Sequence, residues 1–241
     1  MTTSLNDTLL QHFMSTFYGS GNYSGKYWFI GMEEGGGNTL EQVTKRLNAW
    51  IDLGKTELVD IYQFHLKIDY PQYFQDPVKL QKTWMQQARI MLSSKGLPST
   101  TDDVRAYQRD LIGRKTGDTC LLELLPLPSP NVSNWNYGLW SGLPFLRDRQ
   151  TYRENCVSWR AEHIKSRIKE YKPKAVVFMG QVYSDYWHTI SGSNLDFIEQ
   201  GGFWATSSEA TTYIISKHPA AYGVTNGYFE TIGKLLQQIL R

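Results

Sequence analysis

Cysteine is scarce in this chain, since Cys120 and Cys156 are the only two among 241 residues. Two cysteines cannot form a disulfide framework, and they cannot supply the four thiolates of a structural zinc or iron–sulfur site. The sequence has no apolar run long enough to cross a membrane, and its first residues lack the basic start and the apolar stretch of a signal peptide. We therefore expect a cytoplasmic protein without a membrane partner.

Strong net charge and the common nucleotide-binding signatures are also absent. The formal net charge of +2 is too small to indicate a nucleic-acid partner by itself. Neither Gly-x-Gly-x-x-Gly nor Gly-x-x-x-x-Gly-Lys occurs, which weighs against dinucleotide or triphosphate binding. The histidines are far apart and show no metal-ligand spacing. We expect neither a metal nor a cofactor.

Aromatic residues are abundant instead, with 8 Trp and 15 Tyr. Such rings can fill a core, or they can form a surface on which nucleic-acid bases stack. At 41% hydrophobic residues, the chain can bury one core, and nothing in its pattern requires a division. The sequence predicts a single domain over residues 1–241, and we expect a monomer.

Strand and helix patterns alternate along the chain. Strands are predicted at Tyr27–Gly31, Thr119–Leu125, Ala175–Gly180 and Thr211–Lys217. Helices are predicted at Leu9–Tyr18, Thr39–Leu53, Asp76–Ser93, Thr101–Ile112, Thr151–Tyr171, a short stretch through His188, and Val224–Leu240. A long loop rich in Pro, Asn, Gly and Trp separates the second strand from the helix at Thr151. This order indicates an α/β fold with one parallel sheet between two helical layers.

The most informative segment is the one that follows the first predicted strand. The strand runs directly into Glu33, Glu34 and three glycines, Gly35 to Gly37, and a helix begins at Thr39. Open α/β sheets bind ligands at the carboxyl ends of their strands. Glycines let a ligand approach the backbone closely, and a helix start favours an anion. We predict a ligand site at this edge of the sheet.

Two further strands end in residues able to do chemistry. Glu123 ends the second predicted strand, and His218 follows the last one. In a doubly wound sheet these strand ends meet Glu33 and Glu34 at one crevice.

Four short motifs stand at these strand ends: Gly31-Met32-Glu33-Glu34-Gly35, Leu121-Leu122-Glu123, Ala175–Gly180 and His218-Pro219-Ala220. In this order they resemble the motifs of the uracil-DNA glycosylase superfamily. The first resembles its first motif, and the last resembles its His-Pro-Ser motif. The second corresponds to the strand that ends in a base-reading Asn, and the third to the strand that ends in glycine. The resemblance covers roughly residues 28–222. It implies a central four-stranded, mainly parallel sheet with helices on both faces, and DNA as the partner.

The resemblance also implies roles for the motif residues. Glu33 would position water and stabilise the oxocarbenium-like sugar, with Glu34 as a rival for this role, and His218 would donate to the O2 atom of the departing base. Lys217 is the one amine placed to act as a lyase nucleophile, and we favour a monofunctional DNA glycosylase that leaves an abasic site.

Two departures from the family pattern concern the base. Glu123 stands in place of the base-reading Asn, and as a protonated acid it could donate to N3 of cytosine and accept from its amino group. Gly35 stands in place of the Tyr that blocks C5 substituents in the uracil-specific branch. Together they favour a C5-substituted cytosine-type base, as in modified phage DNA, and suggest a defence role. Glu123 could instead pair with Arg147 or Arg149.

The remaining assignments concern contacts to the base and to DNA. Base flipping needs a stacking ring and a wedge. The base-binding candidates are Met32, Gly35, Glu123, Tyr62 and Phe64, and the DNA-binding candidates are Gly36, Gly37, Ser129, Trp135, Lys217 and the proposed wedge Tyr222. Each aromatic candidate could equally be an ordinary core or loop residue.

Three other functions fit parts of the pattern. One is a repair glycosylase that excises uracil. Another is a non-catalytic homologue that binds DNA or a nucleotide. The third is a nucleotide- or phosphosugar-binding enzyme with a doubly wound sheet, which the glycine loop alone would favour.

Overall fold

The computed structural model describes residues 4–192, 195–208 and 210–239. The strands are β1 (Gly19–Gly21), β2 (Tyr27–Gly31), β3 (Leu58–Val59), β4 (Thr119–Glu123), β5 (Ala175–Met179), β6 (Ile198–Glu199), β7 (Trp204–Ser208) and β8 (Thr211–Ser216). The helices are α1 (Asp7–Thr16), α2 (Leu40–Asp52), α3 (Ile61–Lys67), α4 (Lys82–Ser94), α5 (Thr101–Asp110), α6 (Tyr137–Trp140), α7 (Arg149–Tyr171), α8 (Ser184–Ser191) and α9 (Asn226–Ile239). The predicted α/β class is confirmed. Leu240, the predicted end of the last helix, lies outside the described residues.

All strands of the described chain form one sheet in the order β3-β1-β4-β2-β5-β8-β7-β6. The four predicted strands, β4, β2, β5 and β8, are neighbours at its centre and run parallel. The register places Gly31 opposite Glu123 and Met179 opposite Ser216. The strand ends that carry Glu33, Glu123 and His218 therefore reach the same edge of the sheet.

The expected four-stranded, mainly parallel sheet is wrong. The sheet has eight strands, and β1 pairs antiparallel with β4, while β7 pairs antiparallel with β8 and β6. The added strands lie on both sides of the central four. Three of them have only two or three residues, so they show no alternation of apolar and polar residues from which a strand could be predicted.

Helices cover both faces of the sheet. Alternate residues of β2 enter different cores: Trp28 and Ile30 pack with α1, α2, α7 and α8, while Tyr27 and Phe29 pack with α4, α5 and α9. Strands that are buried on both faces read as continuous apolar runs, which explains why the central strands were predicted well. No helix in the described ranges is long and apolar enough to cross a membrane.

The segment between β3 and α4 differs most from its prediction. The helix expected from Asp76 begins at Lys82, where the side chain of Gln81 accepts a hydrogen bond from Trp84 N at 2.8 Å. The unpredicted helix α3 precedes it, capped by the Asp60 carboxylate. This segment carries side chains to the edge of the sheet where the predicted site lies.

Candidate active site at the carboxyl edge of the sheet

A cavity of about 650 Å³ opens at the carboxyl ends of the central strands. Its size falls within the range of pockets that enclose small organic ligands. Eight of the residues predicted to form the site line it: Met32, Glu33, Glu34, Gly35, Gly36, Glu123, Ser129 and His218. Residues that are far apart in the chain are thus brought together as the motif order predicts.

The glycine loop is held in place by the proline-rich loop after β4. Leu125 N donates to Met32 O at 2.7 Å, and Ser129 N donates to Glu34 O at 3.0 Å. Gly37 has φ +68°, and a Cβ there would lie 2.8 Å from Pro128 O. The two loops therefore run side by side, and this contact fixes the backbone that presents both carboxylates.

Glu33 is paired with an arginine that sequence reasoning did not assign to it. Arg149 Nη2 donates to Glu33 Oε1, and Arg149 Nη1 donates to Ser129 Oγ at 2.9 Å. The other oxygen, Glu33 Oε2, is buried and has no hydrogen-bond partner among the described residues. Burial raises the pKa of Glu33, and the charge of Arg149 opposes this shift. One oxygen is thus anchored, and the second remains able to bind a water or a substrate atom.

Glu34 is held separately by Arg46 on α2. Arg46 Nη2 donates to Glu34 Oε1 at 2.8 Å, and the side chain of Arg46 is only 6% exposed while that of Glu34 is 33% exposed. The two neighbouring carboxylates therefore have separate arginine partners. Glu34 is the more solvated of the two, so Glu33 is better suited to chemistry that depends on a desolvated group.

Glu123 ends β4 with its Oε2 atom buried, and its carboxyl group has no basic partner within salt-bridge distance in the described residues. The alternative pairing with Arg147 or Arg149 does not occur, because Arg147 pairs with Asp148 and Arg149 pairs with Glu33. Burial raises the pKa of Glu123 to about 8, with further contributions from the nearby carboxylates. At neutral pH this group is therefore mainly the uncharged acid.

Replacing Glu123 with glutamine should make the stability of the protein less dependent on pH. The raised pKa means that the folded state binds this proton more tightly, so the stabilising contribution is full below the unfolded value of 4.5 and is lost as the pH rises through about 8. Glu123→Gln cannot ionise. The amount by which its free energy of unfolding exceeds that of the wild type should therefore be larger at pH 8.5 than at pH 4.5, by roughly 2–5 kcal/mol. Urea unfolding at both pH values measures this difference, and a difference that is the same at both pH values would contradict the buried, neutral acid.

His218 has the tautomer that a neutral hydrogen-bond donor requires. Ala220 N donates to His218 Nδ1 at 3.1 Å, so the proton of the neutral ring resides on Nε2. Partial burial lowers the pKa of His218, which favours the neutral ring at pH 7. The side chain of His218 is exposed and lines the cavity, and its Nε2–H has no hydrogen-bond partner among the described residues.

Six predicted residues do not line this cavity. Gly37 instead packs closely against Pro128 of the neighbouring loop. Phe64 is 2% exposed and packs on Phe17 in the core, while Tyr62 packs under the guanidinium of Arg114. Core packing therefore occupies the two rings that were candidates for base stacking.

The other three aromatic or basic candidates lie around the site. Trp135 stacks on Tyr152 and donates through Nε1 to Leu146 O at 2.7 Å, so it fixes the long loop. Lys217 Nζ lies 5.7 Å from the ring centroid of Tyr228. Tyr222 is fully exposed.

Several residues that line the cavity were missed by sequence reasoning. Arg46, His65, Trp84, Gln87 and Tyr183 are the chief ones. Arg46 lies on the apolar face of α2 with Val43, Leu47 and Trp50. A charged side chain on a buried helical face needs a partner, and this signal could have identified it.

His65 is another lining residue that sequence reasoning missed, and it is buried on the short helix α3. Its Nδ1 lies 2.9 Å from Ile61 O, and burial lowers its pKa. The neutral ring therefore carries its proton on Nδ1, which leaves Nε2 as an acceptor.

The part of the chain that the structure describes contains no group of three or more His, Cys, Asp or Glu side chains that could hold a metal ion. The chain matches no protein-family model and no curated protein. The function proposed below therefore rests on the site geometry and on the motifs.

Proposed function

We propose that the protein is a monofunctional DNA glycosylase, which hydrolyses the N-glycosidic bond of a flipped-out base and leaves an abasic site. The observation that carries the proposal is the convergence of Glu33, Glu123 and His218 in one cavity, where a carboxylate oxygen of Glu33 and one of Glu123 have no partner within the described residues. This reaction needs two groups, a carboxylate near the sugar and a hydrogen-bond donor near the base.

Glu33 acts on the sugar side. When the bond between C1′ and the base breaks, its electron pair leaves with the base and positive charge develops on the sugar. The free Oε2 of Glu33 stabilises that charge and orients the water that attacks C1′, while Arg149 keeps the carboxylate in place. The water gives its proton to Glu33 Oε2 as the new C1′–O bond forms, and the departing base anion then takes a proton from the solvent.

His218 acts on the base side. The departing base carries negative charge, and the Nε2–H group of neutral His218 donates a hydrogen bond to its O2 atom. The lowered pKa of the ring keeps this group a neutral donor across the neutral pH range.

Glu123 favours a cytosine-type base. With its pKa raised to about 8, the neutral carboxyl group can donate to N3 and accept from the exocyclic amino group. Uracil offers N3–H and O4 at these positions, so it requires the proton on the other carboxyl oxygen, and discrimination between the two bases needs a further group of the cavity. A Cβ at Gly35 would meet no atom within 4 Å, so this side of the cavity has room for a C5 substituent.

Tyr222 remains our candidate wedge, because a fully exposed aromatic side chain in the loop that follows His218 can fill the gap left by a flipped nucleotide. Ser129 is a weaker candidate for a phosphate contact, since its hydroxyl donates to Asn131 O and accepts from Arg149. Bases with C5 substituents occur in phage DNA, and we propose a role in defence on this basis.

The proposal is tested by incubating the protein with DNA that contains uracil, 5-hydroxymethylcytosine, glucosylated hydroxymethylcytosine or cytosine, followed by alkali and gel analysis of strand breaks. We expect breaks at modified cytosine. Breaks at uracil alone would support glycosylase activity. They would contradict the proposed specificity for modified cytosine and the defence role that rests on it. Binding of DNA without breaks in any substrate would favour the non-catalytic homologue.

A further inference from the structure

Gln87 is a buried polar residue that lines the cavity. Thr83, Trp84 and Gln87 occupy one face of α4 and line the cavity. Gln87 is 5% exposed, and its Oε1 atom is buried without a hydrogen-bond partner among the residues described. A buried amide oxygen without a partner is costly to fold, so its presence in a binding cavity indicates a ligand that supplies the missing hydrogen bond.

The adjacent residue on the same helix provides a contrast. Gln86 is 4% exposed, and it too has a buried Oε1 atom without a partner in the described chain. However, Gln86 does not line the cavity, and its Nε2 donates to Asn226 Oδ1 at 3.0 Å, toward α9. The two glutamines are similarly buried but point in different directions. Of the two, only Gln87 can contact a ligand in the site.

Gln87 and Glu123 reach the cavity from different elements. Glu123 ends β4, whereas Gln87 comes from the helix that covers one face of the sheet. If Glu33 acts on the sugar, Gln87 and Glu123 are the two groups lining the cavity, among the described residues, whose unpartnered buried oxygens remain for the base. An exocyclic amino group has two hydrogens, and it can satisfy one acceptor on each side.

We propose that Gln87 is a specificity-determining residue, whose amide group hydrogen-bonds to the edge of the flipped base beside Glu123 and selects bases that carry an exocyclic amino group. This inference rests on the proposed glycosylase function. In the described orientation the amide oxygen is the buried atom, so a base with a carbonyl in place of the amino group would face another acceptor until the amide turned over, and we attribute the discrimination to the free energy of this reorientation.

The test compares Gln87→Met with the matched variant Gln86→Met. Methionine has a similar size and removes the polar atoms, so Gln87→Met should melt at a temperature no lower than the wild type. We expect kcat/KM for the preferred amino-bearing base to fall roughly 10- to 100-fold in Gln87→Met, and the preference over uracil to narrow by a similar factor. Gln86→Met should retain wild-type excision although it loses the contact with Asn226.

The inference would be overturned if Gln87→Met had the kcat/KM and the base preference of the wild type. The proposed glycosylase function would still stand in that case, because both proteins would excise the base. A second measurement separates the two proposals. Binding of free cytosine, 5-hydroxymethylcytosine and uracil is followed by NMR with the wild type and both variants. If no DNA is cut but cytosine binding weakens in Gln87→Met alone, the catalytic proposal fails and the role of Gln87 in base recognition stands.

Discussion

Replacing Glu33 with glutamine should lower the single-turnover rate of base excision by roughly 10²- to 10⁴-fold while DNA binding persists. Glutamine keeps the shape of the side chain but carries no negative charge, so it cannot stabilise positive charge on the sugar. The effect is expected to be large because Glu33 is buried and its Oε2 has no other partner within the described residues. Electrostatic interactions in such a desolvated position are much stronger than in water.

Glu34→Gln is the matched control for this prediction. Glu34 is the adjacent carboxylate, but it is partly exposed and its anchored oxygen contacts Arg46. We expect its loss to reduce excision by at most about tenfold, in line with the modest energies of partly solvated ion pairs. Rapid-quench measurements on both variants, with melting temperatures to confirm folding, decide the assignment. A severe loss in Glu34→Gln with a mild one in Glu33→Gln would reverse the roles of the two residues.

The pH profile offers an independent readout of the same site. The proposed mechanism requires ionised Glu33, so the rate of excision should fall as the pH is lowered through the raised pKa of this group. The proposed base recognition requires neutral Glu123, so the rate should also fall as the pH rises through about 8. The alkaline fall should be absent from the Glu123→Gln variant.

The largest stability loss is expected for Arg160→Met, at about 3–5 kcal/mol. Arg160 is fully buried. Its guanidinium donates to three backbone carbonyls, those of Leu124 at 2.7 Å, Met14 at 2.8 Å and Glu123 at 2.9 Å. It also lies 3.8 Å from the ring centroid of Tyr18. Methionine fills part of the space but leaves those carbonyls without this donor, and unsatisfied buried acceptors are costly.

Arg160 also links stability to the site, because it binds the backbone on both sides of the end of β4. Arg167 on the same helix provides the control: its side chain is 28% exposed and pairs with Glu57 and Glu170. Arg167→Met should cost only about 1 kcal/mol. Urea unfolding of both variants measures the contrast, and equal losses would show that the buried carbonyl contacts do not stabilise the fold as described.

The central sheet and the convergence of the motifs could be predicted from the sequence. The strand at Tyr27–Gly31 was predicted with the bounds that the structure shows, because burial on both faces requires an uninterrupted apolar run. The position of Glu123 and His218 at the same edge followed from the parallel order of their strands. Short edge strands such as Leu58–Val59 have too few residues to show a pattern of apolar and polar residues, and their pairing depends on the rest of the sheet.

The partners of the site residues could not be predicted, because they depend on distant parts of the chain. Arg149 meets Glu33 only after the long loop has folded back against the glycine loop. The role of an aromatic residue is equally a matter of tertiary structure: Phe64 is a core residue, whereas Trp84 lines the cavity. Composition alone cannot distinguish a ring that packs from one that faces a ligand.

The central claim is that this cavity hydrolyses an N-glycosidic bond, and the most direct test is to detect the free base that leaves the DNA. DNA carrying 5-hydroxymethylcytosine or its glucosylated form is incubated with the wild type or with Glu33→Gln, and the small-molecule fraction is resolved by chromatography and mass spectrometry. The account predicts release of the intact modified base by the wild type, with almost none from the variant. Equal amounts of base from both proteins, or none from any modified or unmodified DNA, would contradict it.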